Sequence, residues 1–203
     1  MDFAYNDEQK EIIKVVRDLV EKEIVPYAAE MDETGKLHEG LLEKLAAQGL
    51  LGVAIPEEFG GAGLDAITIA GVYEELAKGC GGVATTVAAN ALASYPVILA
   101  GNDDQKKRYF DVINEDNLAA FALTEPGTGS DAGSVSTRAT KTEDGKGYLL
   151  NGTKCFITNG GLAEIFVVFA NTRKTGGIRG LTPFIVRKGT PGFTIGKEEN
   201  KMG

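Results

Sequence analysis

Asn117-Leu-Ala-Ala-Phe-Ala-Leu-Thr-Glu-Pro-Gly-Thr-Gly-Ser-Asp131 is the stretch at which the hydrophobic pattern of this 203-residue chain changes. Before it, apolar residues recur roughly every 3.6 positions; within it, Phe121 and Leu123 alternate with Ala120, Ala122 and Thr124, the period of about 2 that marks a strand. Pro126, Gly127 and Gly129 then stop that strand. The residue types beyond it leave backbone amides and the hydroxyls of Thr124, Thr128 and Ser130 free to face a ligand.

On the N-terminal side the chain reads as successive helices. Asn6 and Gln9 have the spacing of a capping box, and Ile12, Ile13, Val16, Leu19, Val20 and Ile24 follow at helical intervals until Pro26. Leu41, Leu42, Leu45 and Ala46 predict a short helix with Gly49 as its left-handed cap, and His38 falls in a polar connection that reads as solvated. After the glycine-rich loop at 55–63, Asp65 caps a helix burying Ile69, Val72, Tyr73 and Leu76. The stretch 83–100 is so apolar that it should be buried nearly all round, with Pro96 as a kink. Asn102 and Gln105 open a last helix containing Tyr109, Phe110 and Ile113.

On the C-terminal side, segments 135–140, 148–152, 154–158, 165–170 and 183–187 are rich in β-branched and aromatic residues, and Gly, Asn and Asp separate them. No helix intervenes, which predicts mostly antiparallel pairing. The fold class is α+β, with an all-helical domain at 1–117 and an antiparallel sheet or barrel at 118–203. Lys201-Met202-Gly203 is neither a capped helix nor a finished strand, so the chain reads as a fragment.

Composition narrows the function. Twenty-one basic against 29 acidic residues give a net charge of −8, which argues against nucleic acid as a partner. No run approaches the roughly 18–20 apolar residues of a membrane span, and the first segment is too polar and acidic for a signal peptide; a cytoplasmic protein is expected. Two cysteines and one histidine offer neither a disulfide framework nor a metal site. Hydrolytic chemistry lacks its parts: there is no Gly-x-Ser-x-Gly elbow, and Cys155 lies in a strand pattern. Glu57/Glu58 and Glu74/Glu75 are sequence neighbours that read as solvated charge. Gly127-x-Gly129-x-x-Ala132 loosely fits a dinucleotide fingerprint, but extended chain follows it where a helix is required.

Two places remain, 121–131 and 154–161. The second offers an aromatic face at Phe156 and a hydroxyl at Thr158 beside a tight turn. An aromatic ring with clustered neutral donors suits a flat, electron-accepting heterocycle such as flavin; the same residues also suit ordinary strand ends.

Leu-Thr-Glu-Pro-Gly-Thr-Gly-Ser-Asp (123–131) and Phe-Ile-Thr-Asn-Gly-Gly (156–161) closely resemble the two flavin motifs of the acyl-CoA dehydrogenase family. Pro56-Glu-Glu-Phe-Gly-Gly-Ala-Gly, Tyr73-Glu-Glu-Leu-Ala-Lys, Asn151-Gly-Thr-Lys, Thr190-Pro-Gly-Phe and Asn200-Lys-Met-Gly resemble further family positions in the same order, so the likeness covers the whole chain. Phe156, where many members carry Trp, looks more like the short-chain, butyryl-CoA type branch. The resemblance implies a helical N-terminal domain, a middle β-domain and a C-terminal four-helix domain beyond this sequence. It also implies FAD, held by Phe121, Leu123, Thr124, Gly129, Ser130, Phe156, Ile157 and Thr158, with Ser130 also a contact to acyl-CoA. The implied reaction is α,β-dehydrogenation of an acyl-CoA thioester, with electrons passed to an electron-transferring flavoprotein and full-length members forming homotetramers. The family's base, a glutamate of the C-terminal domain, has no counterpart here, so no catalytic residue and no metal ligand is assigned. An oxidase or a component of an electron-bifurcating complex from the same superfamily, and a noncatalytic interaction module, are the alternatives.

Overall fold

The computed structural model describes residues 4–173 and 177–201; Met202 and Gly203, on which the reading of the end at 201–203 partly rests, lie outside the described residues. Among the described residues, α1 (Asp7–Glu23), α2 (Ala28–Thr34), α3 (Leu41–Ala47), α4 (Ala66–Gly79), α5 (Gly81–Ala100) and α6 (Asp103–Ile113) precede the strands. These are β1 (Ala119–Ala122), β2 (Arg138–Lys141), β3 (Tyr148–Asn151), β4 (Ile165–Asn171) and β5 (Leu181–Arg187).

Local signals place the helix starts. Both expected capping boxes form: Asn6 and Asn102 accept from the amides of Gln9 and Gln105, whose side chains accept from the cap amides in return. Asp65 caps α4 through the amides of Ile67 and Thr68, and Gly49 takes φ 68° after α3. α2 was not expected, because its single buried residue, Met31, leaves no apolar stripe to read.

α5 corrects one expectation. It is 20 residues long with a mean hydropathy of 1.5 over an 18-residue window, long and apolar enough to cross a membrane by length and composition. It corrects a second as well: only 56% of that window is buried, so the helix is not enclosed nearly all round, Leu92, Tyr95 and Leu99 staying exposed, and α5 runs through Pro96 to Ala100. Asn90, fully buried on α5, donates to the carbonyl of Leu51 and accepts from the amide of Ala119 at the start of β1. The helical layer thereby sets where β1 begins and so where the segment after it emerges.

The sheet is mixed rather than mostly antiparallel. β4 is its centre: β5 lies antiparallel along one edge, from Ile165↔Arg187 to Asn171↔Leu181. On the other edge β1 pairs parallel, Ala119↔Ile165 to Ala122↔Val168, and β2 joins parallel at Arg138↔Asn171. β2 and β3 form an antiparallel hairpin. Parallel neighbours need a crossover of a dozen or more residues; the excursion between β1 and β4, which contains that hairpin and one 3-10 turn at Ala132–Ser134, supplies it without an α-helix. One apolar cluster runs from Val16, Leu45 and Val87 in the helices to Ala120, Phe166 and Val168 in the sheet.

Candidate functional site

β1 ends at Ala122, and the chain turns sharply at once. Glu125 and Thr128 exchange both backbone hydrogen bonds at 3.0 Å across Pro126-Gly127. Glu125 is buried and ties the turn down. One carboxylate oxygen accepts from the Ser136 amide at 2.7 Å and the Ser136 hydroxyl at 2.5 Å. The other accepts from the Thr137 amide at 2.9 Å, the Thr137 hydroxyl and Lys154 Nζ at 2.8 Å. Burial works to raise the Glu125 pKa, but the hydrogen bonds from Lys154, Ser136 and Thr137 outweigh it and hold the carboxyl well below the usual range. Burial draws the Lys154 ammonium downward, with Glu125 opposing.

The second segment lies directly against the first. Lys154 Nζ donates to the carbonyl of Leu123 at 2.9 Å, and the amide of Cys155 donates to the carbonyl of Thr124 at 3.0 Å. Residues 154–158 are not a strand, as their pattern had suggested, because Phe156 adopts φ 55° and breaks the extension. A left-handed conformation costs a bulky residue about 1–2 kcal/mol, yet Phe156 is 62% exposed. Beyond it Asn159, buried at φ 63°, donates to the carbonyls of Thr86 on α5 and Ala119 on β1 at 3.0 and 3.1 Å. The loop is thus riveted to both layers while its aromatic ring stays outside.

Of the residues singled out from sequence, Phe121 is half-buried against Phe169, ring centroids 4.9 Å apart; Leu123, Thr124, Ile157 and Thr158 are half-buried, and Gly129, Ser130 and Phe156 are exposed. Among the described residues the hydroxyls of Thr124, Ser130 and Thr158 have no protein partner, nor do the amides of Gly129, Ser130 and Asp131. Added Cβ atoms at Gly127 and Gly129 would meet nothing within 4 Å, and neither glycine has a positive φ, so nothing in the chain itself demands glycine there. Thr128 departs from expectation: its side chain is buried and donates to the carbonyl of Ser134 at 3.0 Å.

Two further expectations are corrected. Glu75 is buried rather than solvated, with a two-pronged bond from Arg17 at 2.9 and 3.1 Å and Lys78 at 2.9 Å; Arg17's hydrogen bonds hold its pKa down at about 2. His38 stacks on Tyr27 with centroids 3.5 Å apart instead of standing in solvent. The residues that fasten the two segments, Glu125, Lys154 and Asn159, were quoted within motifs but given no role; the signal was a Glu and a Lys flanked by otherwise uncharged stretches.

Residues 6–115 match the model of the acyl-CoA dehydrogenase N-terminal domain, and residues 120–203 that of the middle domain. The chain belongs to the acyl-CoA dehydrogenase family. A short-chain specific acyl-CoA dehydrogenase of Megasphaera elsdenii is 42% identical over all of this chain and 54% of its own length. A structure from work on the electron transferring flavoprotein of Acidaminococcus fermentans and flavin-based electron bifurcation superposes with a TM-score of 0.92 at 39% identity, covering 100% of this chain and 53% of the other. An acyl-CoA dehydrogenase complexed with FAD from Bacillus anthracis gives 0.86 at 38% identity, over 98% of this chain and 34% of the other. The chain therefore spans about half the length of the curated relative it matches.

Proposed function

We propose that the protein containing this chain catalyses FAD-dependent α,β-dehydrogenation of a short-chain acyl-CoA thioester to the 2-enoyl-CoA and passes the electrons to an electron-transferring flavoprotein. The observation that carries this reading is the junction of the two segments: an exposed Phe156 ring held in a costly conformation, beside Thr124 and Thr158 hydroxyls that have no partner among the described residues. These residues fit the cofactor. The ring offers a stacking face, the hydroxyls offer donors for the heterocycle's edge, and the unpartnered amides at 129–131 with the Ser130 hydroxyl suit phosphate oxygens of FAD or CoA.

When bound, FAD would supply the acceptor for the β-hydride. Thr124 and Thr158 would donate to its edge and favour negative charge there. Phe121, Leu123 and Ile157 exclude water from that face. The α-proton goes to a carboxylate outside these residues, and the 203-residue chain is inactive alone. Residues 1–117 act as the helical part and 118–203 as the β-part of a cytoplasmic homo-oligomer. A role within an electron-bifurcating complex is the second reading, favoured by the likeness to the Acidaminococcus-related structure.

The test is anaerobic titration of the full-length protein with butyryl-CoA. Bleaching of the flavin band with stoichiometric enoyl-CoA formation supports the reading. A full-length protein that purifies colourless and takes up no FAD defeats it.

A further inference from the structure

We propose that Glu125 and Lys154 are positioning residues of this site: their buried ion pair holds the segments 121–131 and 154–161 in a single register. The inference rests on the reading that those segments carry FAD.

The side chains of Lys154 and Glu125 are 10% and 3% exposed, so neither presents its charge to a ligand. Besides each other and two hydroxyls, what they hold is backbone. The ammonium holds the Leu123 carbonyl at 2.9 Å, and the next amide in the chain, that of Cys155, holds the Thr124 carbonyl at 3.0 Å. Consecutive carbonyls of the first segment are thus taken by consecutive residues of the second. This fixes the peptide that carries the Thr124 hydroxyl relative to the one that carries Phe156. Glu125 anchors the ammonium in turn, and its five donors on Ser136, Thr137 and Lys154 leave the carboxylate one position to occupy.

An apolar pair of the same volume could have filled this space without the desolvation that buried charges require. Apolar side chains, however, cannot grip a carbonyl at a defined distance and direction. Geometry is what a site must hold closely to place donors on a ligand edge.

The experiment uses the full-length protein with Lys154→Met, Lys154→Arg, Glu125→Gln and Ser136→Ala, reading the FAD dissociation constant, the visible circular dichroism of bound flavin and the melting temperature. Lys154→Met and Glu125→Gln should each weaken FAD binding about tenfold, a middling value for coupled neighbours, and alter the flavin spectrum. Lys154→Arg, which keeps the charge, should recover part of the loss. Ser136→Ala removes one of five donors and is mild enough to fold if the others do not; about a twofold loss in the same direction is expected. Variants that melt lower yet bind FAD with the wild-type constant and spectrum would overturn the positioning role and leave the site intact. Wild-type protein that takes up no FAD would overturn the site reading itself.

Discussion

Asn90 shows how much a single buried amide can organise. It satisfies the Leu51 carbonyl and the Ala119 amide with no exposure to solvent, so Asn90→Leu leaves two buried backbone groups unpaired. We expect a loss of about 2–4 kcal/mol in urea unfolding; a loss under about 1 kcal/mol would show that water or a local shift replaces both bonds. Glu75 gives a pH signature. Its folded pKa of about 2 lies below the ordinary value of 4.5, so the unfolded chain takes up the proton first. Its contribution is complete above the unfolded value and drains away as pH falls from 4.5 towards 2. The urea midpoint should therefore drop through that window in wild type and drop less in Glu75→Gln; equal slopes would exclude the Arg17–Glu75 pair as a source of the acid sensitivity. Neither residue announced its role in the sequence. An Asn within an alanine-rich run and one of two adjacent glutamates look alike whether they point inward or outward.

Helices were the most legible elements, because their signals are local. The two Asn–Gln boxes, the Asp65 cap and Gly49 each depend on residues within one turn, and each forms. Asn102→Ala removes the side-chain acceptor from the Gln105 amide at 2.9 Å and should destabilise the protein by about 1 kcal/mol, read as a lower urea midpoint with an unchanged slope. A midpoint equal to wild type would mean that the α6 start is held by packing alone. Strands were less legible. Residues 154–158 carry the right composition for one, but Asn159 is drawn to α5 and β1 and the backbone at Phe156 turns left-handed to let it arrive. A contact 73 residues away in the chain overrode a local preference.

At the scale of the molecule the helical and β portions share one apolar cluster that crosses from Val87 to Ala120 and Phe166. Portions joined in this way should unfold together. Far-ultraviolet circular dichroism and tyrosine fluorescence are expected to give coincident single transitions in urea; two separated transitions would show that the cluster does not couple them. The mixed order of the sheet also belongs to this scale. The strands follow one another without α-helices, and adjacency in sequence suggested adjacency in space. Yet β1 meets β4 in parallel, and the β2–β3 hairpin fills the crossover.

The sequence by itself determined where the capped helices start, where the period shifts from helix to strand, and which two segments are polar, glycine-broken turns. Caps, periodicity and glycine act over a few residues, within reach of any local reading. Only the tertiary structure decided that Lys154 grips the Leu123 carbonyl, that Glu125 holds Lys154, and that Thr128 turns inward while the hydroxyls of Thr124 and Thr158 find no partner among the described residues. Those outcomes depend on which distant groups are left unpaired once the chain is compact, and a buried charge or amide takes its partner from whatever the fold has brought within about 3 Å.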